Sequence, residues 1–415
     1  MDIDPIVLSI PIYFLLIAIE LFIQFFSKNP IYRLADALTN ISCGITQQIS
    51  GLLFKVGFIA LYTLIYQQFA FFTIEGTWYN LIILFVAVDF CYYWAHRMSH
   101  EVNLFWGGHV VHHQSEDYNF SVALRQGSFQ VIWTSLFYFP LALIGFDPID
   151  FLLMSALVTV YQFWIHTETI GKLGVIEYIF NTPSHHRVHH GRDPKYIDKN
   201  HAGVFIIWDR MFGTFQKEEE RPTYGITTPV NSWNPVWVNF DHYQKMAGWM
   251  GRARGLRAKA GILFGRPGWF PEEMGGYQAA PEVDKDNYSK YETHTPVPLA
   301  VYILVNYLIA LVGTAFFLFM QASFSIPDKA LFGLLLVWTI MNCGGLFERR
   351  RWVHLSESVR LLSVTVLVFY FFPVLGQSML ALALMALYYL ASTFWLLNLR
   401  RVPLTQVSNA LRSTK

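Results

Sequence analysis

The stretch Asn181–His190 reads NTPSHHRVHH, and four of its ten side chains are imidazoles. An ordinary folded domain has no need of so many histidines in so short a space. Ser184 can cap a helix here, and Pro183 blocks extension of that helix towards the amino terminus. His185 points away from the face that its neighbours share. That face predicts a cluster of three metal-binding imidazoles: His186, His189 and His190.

Further histidines lie upstream, in the strings WAHRMSH and HVVHH and directly after the apolar run LVTVYQFWI. The HxxxH spacing in WAHRMSH stacks two rings on one helix face. One such pair alone is a weak signal, but three histidine groups at the ends of apolar runs leave little room for chance. Together the three groups predict eight metal ligands: His96, His100, His109, His112, His113, His186, His189 and His190. His166, which follows the apolar run, is the candidate for a ninth.

The ligand chemistry narrows the kind of metal site. Imidazole suits iron, copper, nickel or zinc, and a structural zinc site is disfavoured because it takes four ligands and often cysteines. Cys43, Cys91 and Cys343 lie in apolar runs without a CxxC motif, so they predict neither a thiolate site nor a disulfide framework. Eight or nine imidazoles therefore predict two metal ions.

The composition is that of a membrane protein, because 54% of the 415 residues are hydrophobic and only 14% are charged. A net charge of +1 argues against a nucleic-acid partner. Long apolar runs predict an all-α polytopic membrane protein with about nine membrane-embedded helices, near 6–26, 42–68, 78–95, 127–146, 149–165, 298–320, 329–346, 361–375 and 377–397. The last two runs are split by Phe372-Pro373, so full spans and a shallow hairpin both remain open.

Basic residues orient these runs. Lys28, Arg33, Arg97 and Arg125 fall on one side of the membrane if the amino terminus is outside. This topology predicts that the histidine-rich domain is cytosolic. The predicted regions are amino-terminal transmembrane helices (1–95), a catalytic region with two transmembrane helices and cytosolic helices (96–297), and carboxyl-terminal transmembrane helices (298–415). The endoplasmic reticulum of a eukaryote and the inner membrane of a bacterium both fit.

Two residues are predicted to lie just behind the ligands. Asp89 sits inside the third apolar run, where a carboxylate is costly and usually functional. It precedes His96 by seven residues, so we expect it to orient a ligating imidazole, with a polar contact between helices as the alternative. His185 is predicted to take a similar supporting position. His201 is isolated in sequence and is predicted to be no ligand.

Three strings resemble the fatty acid hydroxylase (sterol desaturase) superfamily of membrane di-iron oxygenases across roughly 80–216. They are DFCYYWAHRMSH, HVVHHQSEDYNFSVALRQG and NTPSHHRVHHGRDPKYIDKNHAGVFIIWDRMFGTF. The resemblance implies that the eight motif histidines hold two irons, with His166 at a further position that related enzymes use. His201 stands where the resemblance leads us to expect an aromatic residue. Within the superfamily, the strings are most similar to members that oxidise alkylglycerols.

The resemblance also implies a reaction. Dioxygen would hydroxylate the ether-adjacent carbon of an alkylglycerol lipid, giving a fatty aldehyde and a glycerol derivative, with tetrahydrobiopterin as electron donor. The sequence carries no recognisable pterin signature; Glu101, next to His100, is the candidate contact for a pterin or a proton, and its alternative is a solvated acid. Tyr92, Tyr93 and Trp164 are candidates for a substrate tunnel, although packing at the membrane interface explains them equally well.

Two other functions remain open at this stage. The first is a sterol desaturase or a lipid or fatty acid hydroxylase that draws electrons from a redox protein. The second, from a different class, is a histidine-rich metal transporter, which predicts ligands along a path inside the spans. Here the histidines gather at one face, which favours an enzyme. The resemblance implies a lipid substrate and dioxygen, and any protein partner is unknown.

Overall fold

The computed structural model of the protein describes residues 5–27, 30–371 and 379–399, and all regular elements in these ranges are helices. The all-α class is therefore confirmed. The chain divides into two compact units, the first ending at Tyr291 and the second beginning at Glu292. The predicted boundaries at 95/96 and 297/298 stay predictions.

The first unit contains twelve α-helices among its described residues. They are α1 (Pro5–Phe26), α2 (Leu34–Phe69), α3 (Trp78–Glu101), α4 (Asn103–His113), α5 (Phe120–Ala123), α6 (Gln130–Thr134), α7 (Phe139–Ile144), α8 (Pro148–Tyr161), α9 (Pro183–His189), α10 (Ile207–Met211), α11 (Trp237–Arg252) and α12 (Gly255–Phe264). The second unit contains α13 (Val297–Met320), α14 (Ile326–Phe347), α15 (Val353–Phe371) and α16 (Met379–Leu399).

Five helical segments are long and apolar enough to cross a membrane: Leu8–Phe26, Leu34–Phe69, Trp78–Glu101, Val297–Ser323 and Ile326–Phe347. The protein is thus a helical membrane protein, while the predicted count of nine spans is not confirmed. The hairpin question at Phe372-Pro373 falls outside the described residues.

The runs predicted as spans at 127–146 and 149–165 form shorter apolar helical segments, Gln130–Ile144 and Pro148–Tyr161. The first is divided into α6, a 3-10 turn and α7, and it ends at Gly145 in the left-handed conformation (φ +114°). The second is a helix of 14 residues, about 21 Å long, which is less than the roughly 30 Å of a hydrocarbon core.

Hydrogen bonds between two turns align the helices that carry the histidines. Phe71 N donates to Leu143 O (2.7 Å) and Ile74 N to Gly145 O (3.1 Å), so the turn before α3 is bound to the turn before α8. A Cβ at Gly145 would lie 1.9 Å from Phe72 O, so this close approach requires glycine. Because α3 and α8 start together and pack side by side, both helices end at the opposite edge of the unit, where the histidines lie.

The core between these helices is apolar and aromatic. Tyr62 of α2 and Phe151 of α8 are buried and stacked, with ring centroids 4.5 Å apart. Leu84 and Val88 of α3 belong to the same cluster and are fully buried. Burial of each such side chain contributes roughly 1.5–3 kcal/mol. This packing makes α2, α3 and α8 a rigid support for the residues at their ends.

The second unit has a buried polar cluster within its four helices. Glu357 and Arg360 of α15 form an ion pair of 2.5 Å. Tyr302 Oη and Asn342 Nδ2 donate to the Glu357 carboxylate, and Arg360 donates to Asn306 Oδ1. A buried ion pair persists when further hydrogen bonds satisfy its remaining atoms, so this network links α13, α14 and α15.

The close contact between Gly127 and α4 generates a stability prediction. A Cβ at Gly127 would lie 1.8 Å from the backbone oxygen of Gly108. Gly127→Ala must therefore displace α4, and we expect a loss of about 1–3 kcal/mol, measured as a lower melting temperature of the detergent-solubilised protein. Gly248→Ala in α11 is the matched control, because its Cβ meets nothing within 4 Å; it should stabilise by about 0.5–1 kcal/mol. Unchanged melting of the Gly127 variant would contradict the contact.

Candidate metal centre

The nine predicted histidines come together in two buried groups. Within each group, the candidate ligand atoms all lie within 4.8 Å of one another. Across an ion with bonds of about 2.1 Å, two nitrogens lie at most about 4.2 Å apart, so a small contraction would close either group around a metal. The first group contains His96, His100, His109, His113 and His189, and the second contains His112, His166, His186 and His190.

Both groups draw on the same two helices. α4 carries one HxxHH motif and α9 followed by His190 carries the other. Across the groups, the His113 and His190 rings are stacked with centroids 4.4 Å apart. Two ions held by these groups would therefore be close neighbours.

Local sequence explains how α9 forms. The helix begins at Pro183, with Thr182 in extended conformation before it. Proline suits this first position because its missing N–H has no partner in a helix anyway. The predicted cap at Ser184 is wrong, since that residue is already inside the helix. His185 lies outside both groups, with its ring 5.5 Å from that of Phe215.

A four-residue loop orients three imidazoles of the first group. His189 Nδ1 pairs with Lys199 O (2.9 Å) and His96 Nδ1 with His201 O (2.7 Å). The Asp198 carboxylate lies 3.4 Å from His100 Nδ1. These acceptors hold the proton on Nδ1 and leave Nε2 free to face an ion. The sequence contains no motif for this role, because two of the three acceptors are backbone carbonyls.

In the second group, the orientation of two imidazoles suits a bound cation. His112 Nδ1 pairs with Arg125 O (2.8 Å) and His166 Nδ1 with Gln162 O (2.7 Å). Their Nε2 atoms, left without protons by this arrangement, face each other at 3.2 Å. Burial lowers the pKa of His112 to about 4 and that of His166 well below its ordinary value, so neutral imidazoles prevail near pH 7. Two facing lone pairs repel unless a cation lies between them, and a metal ion satisfies that need.

An ion pair fixes α9 against the rest of the unit. Arg187, between the two histidine pairs, donates to both carboxylate oxygens of Glu218 at 2.7 Å each. It also donates to Ile170 O (2.7 Å). Bidentate arginine–carboxylate pairs are strong and directional. Arg187 thus holds the helix in the rotation that turns its histidines inward.

Asp89 has partners other than the predicted imidazole. Its carboxylate accepts from Val204 N (2.7 Å), Phe205 N (3.0 Å) and Trp208 Nε1 (2.9 Å). Seven helical residues advance about 10 Å, which places Asp89 beyond hydrogen-bond reach of His96. His96 Nδ1 pairs instead with His201 O, and Asp89 holds the segment after residue 201; a role of Asp89 in orienting a ligand stays a prediction.

The aromatic candidates for a tunnel lie near the site in different ways. The Tyr92 ring centroid is 5.2 Å from that of His96. Tyr93 is fully buried, with its hydroxyl 3.0 Å from Thr214 Oγ1. Trp164 contacts Tyr161, with ring centroids 5.7 Å apart. Their role in a tunnel stays a prediction.

The surroundings of Glu101 and His201 differ from the simplest predictions made from the sequence. Glu101 is not a free solvated acid, since Arg97 Nε donates to it at 2.9 Å and Arg266 lies 3.6 Å away. His201, which sequence reasoning left out, is fully buried and its ring centroid lies 5.0 Å from that of His100. Its only sequence signal is the string DKNHAG close after the second HxxHH motif.

Comparison with known proteins defines the class. Residues 81–214 match the family model described as Fatty acid hydroxylase, and that segment carries both histidine groups, so the protein is a membrane hydroxylase of this class. The human alkylglycerol monooxygenase is 38% identical over 364 residues, covering 86% of this chain and 81% of the relative. The enzyme of the same name from Caenorhabditis elegans is 30% identical over 406 residues, covering 91% and 79%.

The chain therefore belongs to the alkylglycerol monooxygenase family and is an oxidoreductase of that kind. A more distant relative, the ornithine lipid hydroxylase OlsE of Rhizobium tropici, is 30% identical over 163 residues, covering 37% of this chain and 47% of the relative. No solved structure matches the chain.

The loop that orients the first group provides a test. Asn200 is buried in the left-handed conformation (φ +55°), and its side chain bonds His185 O, Gln216 N and Gln216 O. We expect Asn200→Ala to release the loop and to weaken metal binding about 10–100-fold, measured by chelator competition. Asn231→Ala is the control, since Asn231 is exposed with a similar φ of +51°. Equal affinities in the two variants would show that the loop does not support the metal.

Proposed function

We propose that this enzyme hydroxylates the ether-adjacent carbon of alkylglycerol lipids. One oxygen atom of dioxygen enters the C–H bond, and the other leaves as water with two electrons and two protons from tetrahydrobiopterin, which becomes dihydropterin. The hemiacetal then breaks its C–O bond to give a fatty aldehyde and a glycerol derivative. The observation that carries this proposal is the pair of buried imidazole groups in a chain of this family.

Two irons are the proposed metal ions, one held by each histidine group. When bound, they supply the redox chemistry that activates dioxygen. The chain contributes orientation, because carbonyls at Gln162, Lys199 and His201 fix the imidazole rings. It also contributes dryness, because all nine candidate ligands are buried. A dry site protects a C–H oxidation from side reactions with water.

The apolar helices that lead to the histidine groups suit a lipid tail as substrate. α3 is a candidate span and carries His96 and His100 in its last turns. Tyr92, Tyr93 and Trp164 are proposed to line the path of the tail, and Glu101 is proposed as a contact for the pterin. We also propose that the histidine site faces the cytosol, in the endoplasmic reticulum of a eukaryote or the inner membrane of a bacterium.

The alternative functions differ in electron donor or substrate. The likeness to the ornithine lipid hydroxylase over 163 residues supports a second candidate, a hydroxylase of another lipid. For this candidate, a redox protein is the proposed electron donor. A metal transporter is disfavoured, because the histidines gather in two adjacent groups instead of following a path through the spans.

A substrate and donor assay tests the proposal. Purified protein should hold about two irons and convert an alkylglycerol to aldehyde when reduced tetrahydropterin is supplied. Sterol, ceramide and ornithine lipid should be tested in parallel, each with a pterin or with a reduced redox protein. Turnover that is indifferent to pterin would refute the proposed cofactor, and turnover of another lipid alone would refute the proposed substrate.

A ligand variant tests the metal assignment. His189 joins the first group and its ring lies 4.4 Å from that of His96 by centroids, so His189→Ala should abolish iron loading and activity while the protein still inserts into the membrane. His354→Ala, in the second unit, is the control and should change metal content little. Normal metal content and activity in the His189 variant would defeat the di-iron assignment.

A further inference from the structure

His201 is a further buried imidazole at the edge of the first histidine group. Its ring centroid lies 5.0 Å from that of His100, 5.6 Å from that of His189 and 5.7 Å from that of His96. The side chain is fully buried. The Asp198 backbone approaches one ring nitrogen as a weak hydrogen-bond partner, but the contact falls outside regular hydrogen-bond geometry, and the other nitrogen has no polar partner within the described part of the chain.

Ring nitrogens without a regular hydrogen bond are costly in the protein interior. Each unsatisfied buried donor or acceptor costs about 1–3 kcal/mol, and more than nine in ten such groups have a partner in native proteins. An apolar aromatic ring would occupy the same space without this cost. The His201 ring nitrogens therefore need a binding partner other than a protein atom.

The polar groups around His201 are already engaged. The Asp209 carboxylate accepts from the backbone N–H of His201 and of Ala202, and from Thr214 Oγ1. The Tyr93 hydroxyl is bonded to Thr214 Oγ1, and Arg97 donates to it. These groups hold the backbone of the loop and leave the imidazole to face the first group.

Other nitrogens in the first group share this lack of a protein partner. His100 Nε2 and His189 Nε2 are buried and form no hydrogen bond among the described residues, and their Nδ1 atoms face Asp198 and Lys199 O. Unpartnered nitrogens of three imidazoles thus occur side by side. A single cation among them would bind the lone pairs of all three imidazoles.

We propose that His201 supplies a sixth imidazole to the metal ion of the first group. The inference rests on the metal binding advanced under the proposed function. The 4.8 Å grouping does not include His201, so its ring must move towards the ion when the ion binds. Six imidazole nitrogens would occupy every position of an octahedral ion, whereas the four of the second group would leave room for a further ligand such as dioxygen.

His201→Phe in the full-length protein tests this inference, because phenylalanine keeps a buried aromatic ring and removes both nitrogens. The metal-free variant and wild type are loaded with Fe²⁺ or Co²⁺ in detergent, and both binding equivalents are measured by chelator competition. We expect one equivalent to weaken at least about 10-fold while the other is unchanged. The Co²⁺ absorption bands should shift, because that ion loses a ligand.

Melting of the metal-free protein separates a ligand from a structural residue. Removing two nitrogens that lack regular hydrogen bonds should leave the melting temperature of metal-free His201→Phe equal to wild type or higher. A large drop would mean that His201 serves the fold, and would overturn the inference. His242→Phe is the matched control: this half-buried imidazole bonds Asn103 Oδ1 at 2.9 Å, outside both groups, and its loss should not alter metal affinity.

The outcomes distinguish this inference from the proposed function. If wild type binds two equivalents and His201→Phe binds both with unchanged affinity and spectrum, the sixth ligand is refuted and the di-iron proposal stands. If wild type binds neither metal, the proposed function itself fails.

Discussion

The mutual repulsion of buried imidazole nitrogens is the constraint on which this site depends. His112 and His166 donate their Nδ1 protons to backbone carbonyls, so their Nε2 lone pairs face each other at 3.2 Å. Burial keeps these rings neutral, so protonation does not relieve the repulsion near pH 7. A metal ion converts this repulsion into ligation. Cations bound as proposed would therefore stabilise both histidine groups.

The fold secures these rings with contacts that do not depend on ligand side chains. Carboxylates of Asp89 and Asp209 hold opposite ends of the 201–205 segment through backbone N–H groups. Glu20, buried in α1, accepts from Phe120 N and from the hydroxyl of Thr167, the residue after His166. Asp89 and Glu20 lie in candidate membrane-spanning helices, where a carboxylate is usually functional, and both accept from a backbone N–H of a segment that packs near the histidines. These acidic residues therefore support the histidine groups indirectly, by fixing the backbone around them.

The sequence was informative about the ligands and less so about what orients them. Helical spacing placed His186, His189 and His190 on one face because three- and four-residue separations are neighbours on a helix, and the structure brings all three into the two groups. Apolar length predicted α1, α2 and α3, but it could not show that a 3-10 turn at Ser135–Tyr138 divides the run 127–146 into two short helices. Periodicity likewise cannot identify an acceptor that is a backbone carbonyl. His201 was missed for the same reason, since tertiary contacts alone bring it to the site.

The crowding of histidines in NTPSHHRVHH follows from the way each HxxHH motif divides its three histidines between the two groups. In α4, the i,i+4 pair His109 and His113 joins the first group, and His112 joins the second. In the α9 motif the assignment is exchanged: His186 and His190 join the second group, and His189 joins the first. Adjacent helical residues point about 100° apart, so a consecutive His-His pair can serve two neighbouring ions, whereas an i,i+4 pair serves one.

This exchange gives the two motifs a reciprocal role. Each motif supplies two imidazoles to one group and one to the other, so neither group can assemble from a single helix. α4 and α9 must therefore be held at a fixed distance and rotation, which the Arg187–Glu218 pair and the backbone acceptors provide. The remaining ligands break the symmetry, because α3 adds His96 and His100 to the first group while His166 alone completes the second. The inequality of the two sites is thus built into the number of helices that reach each one.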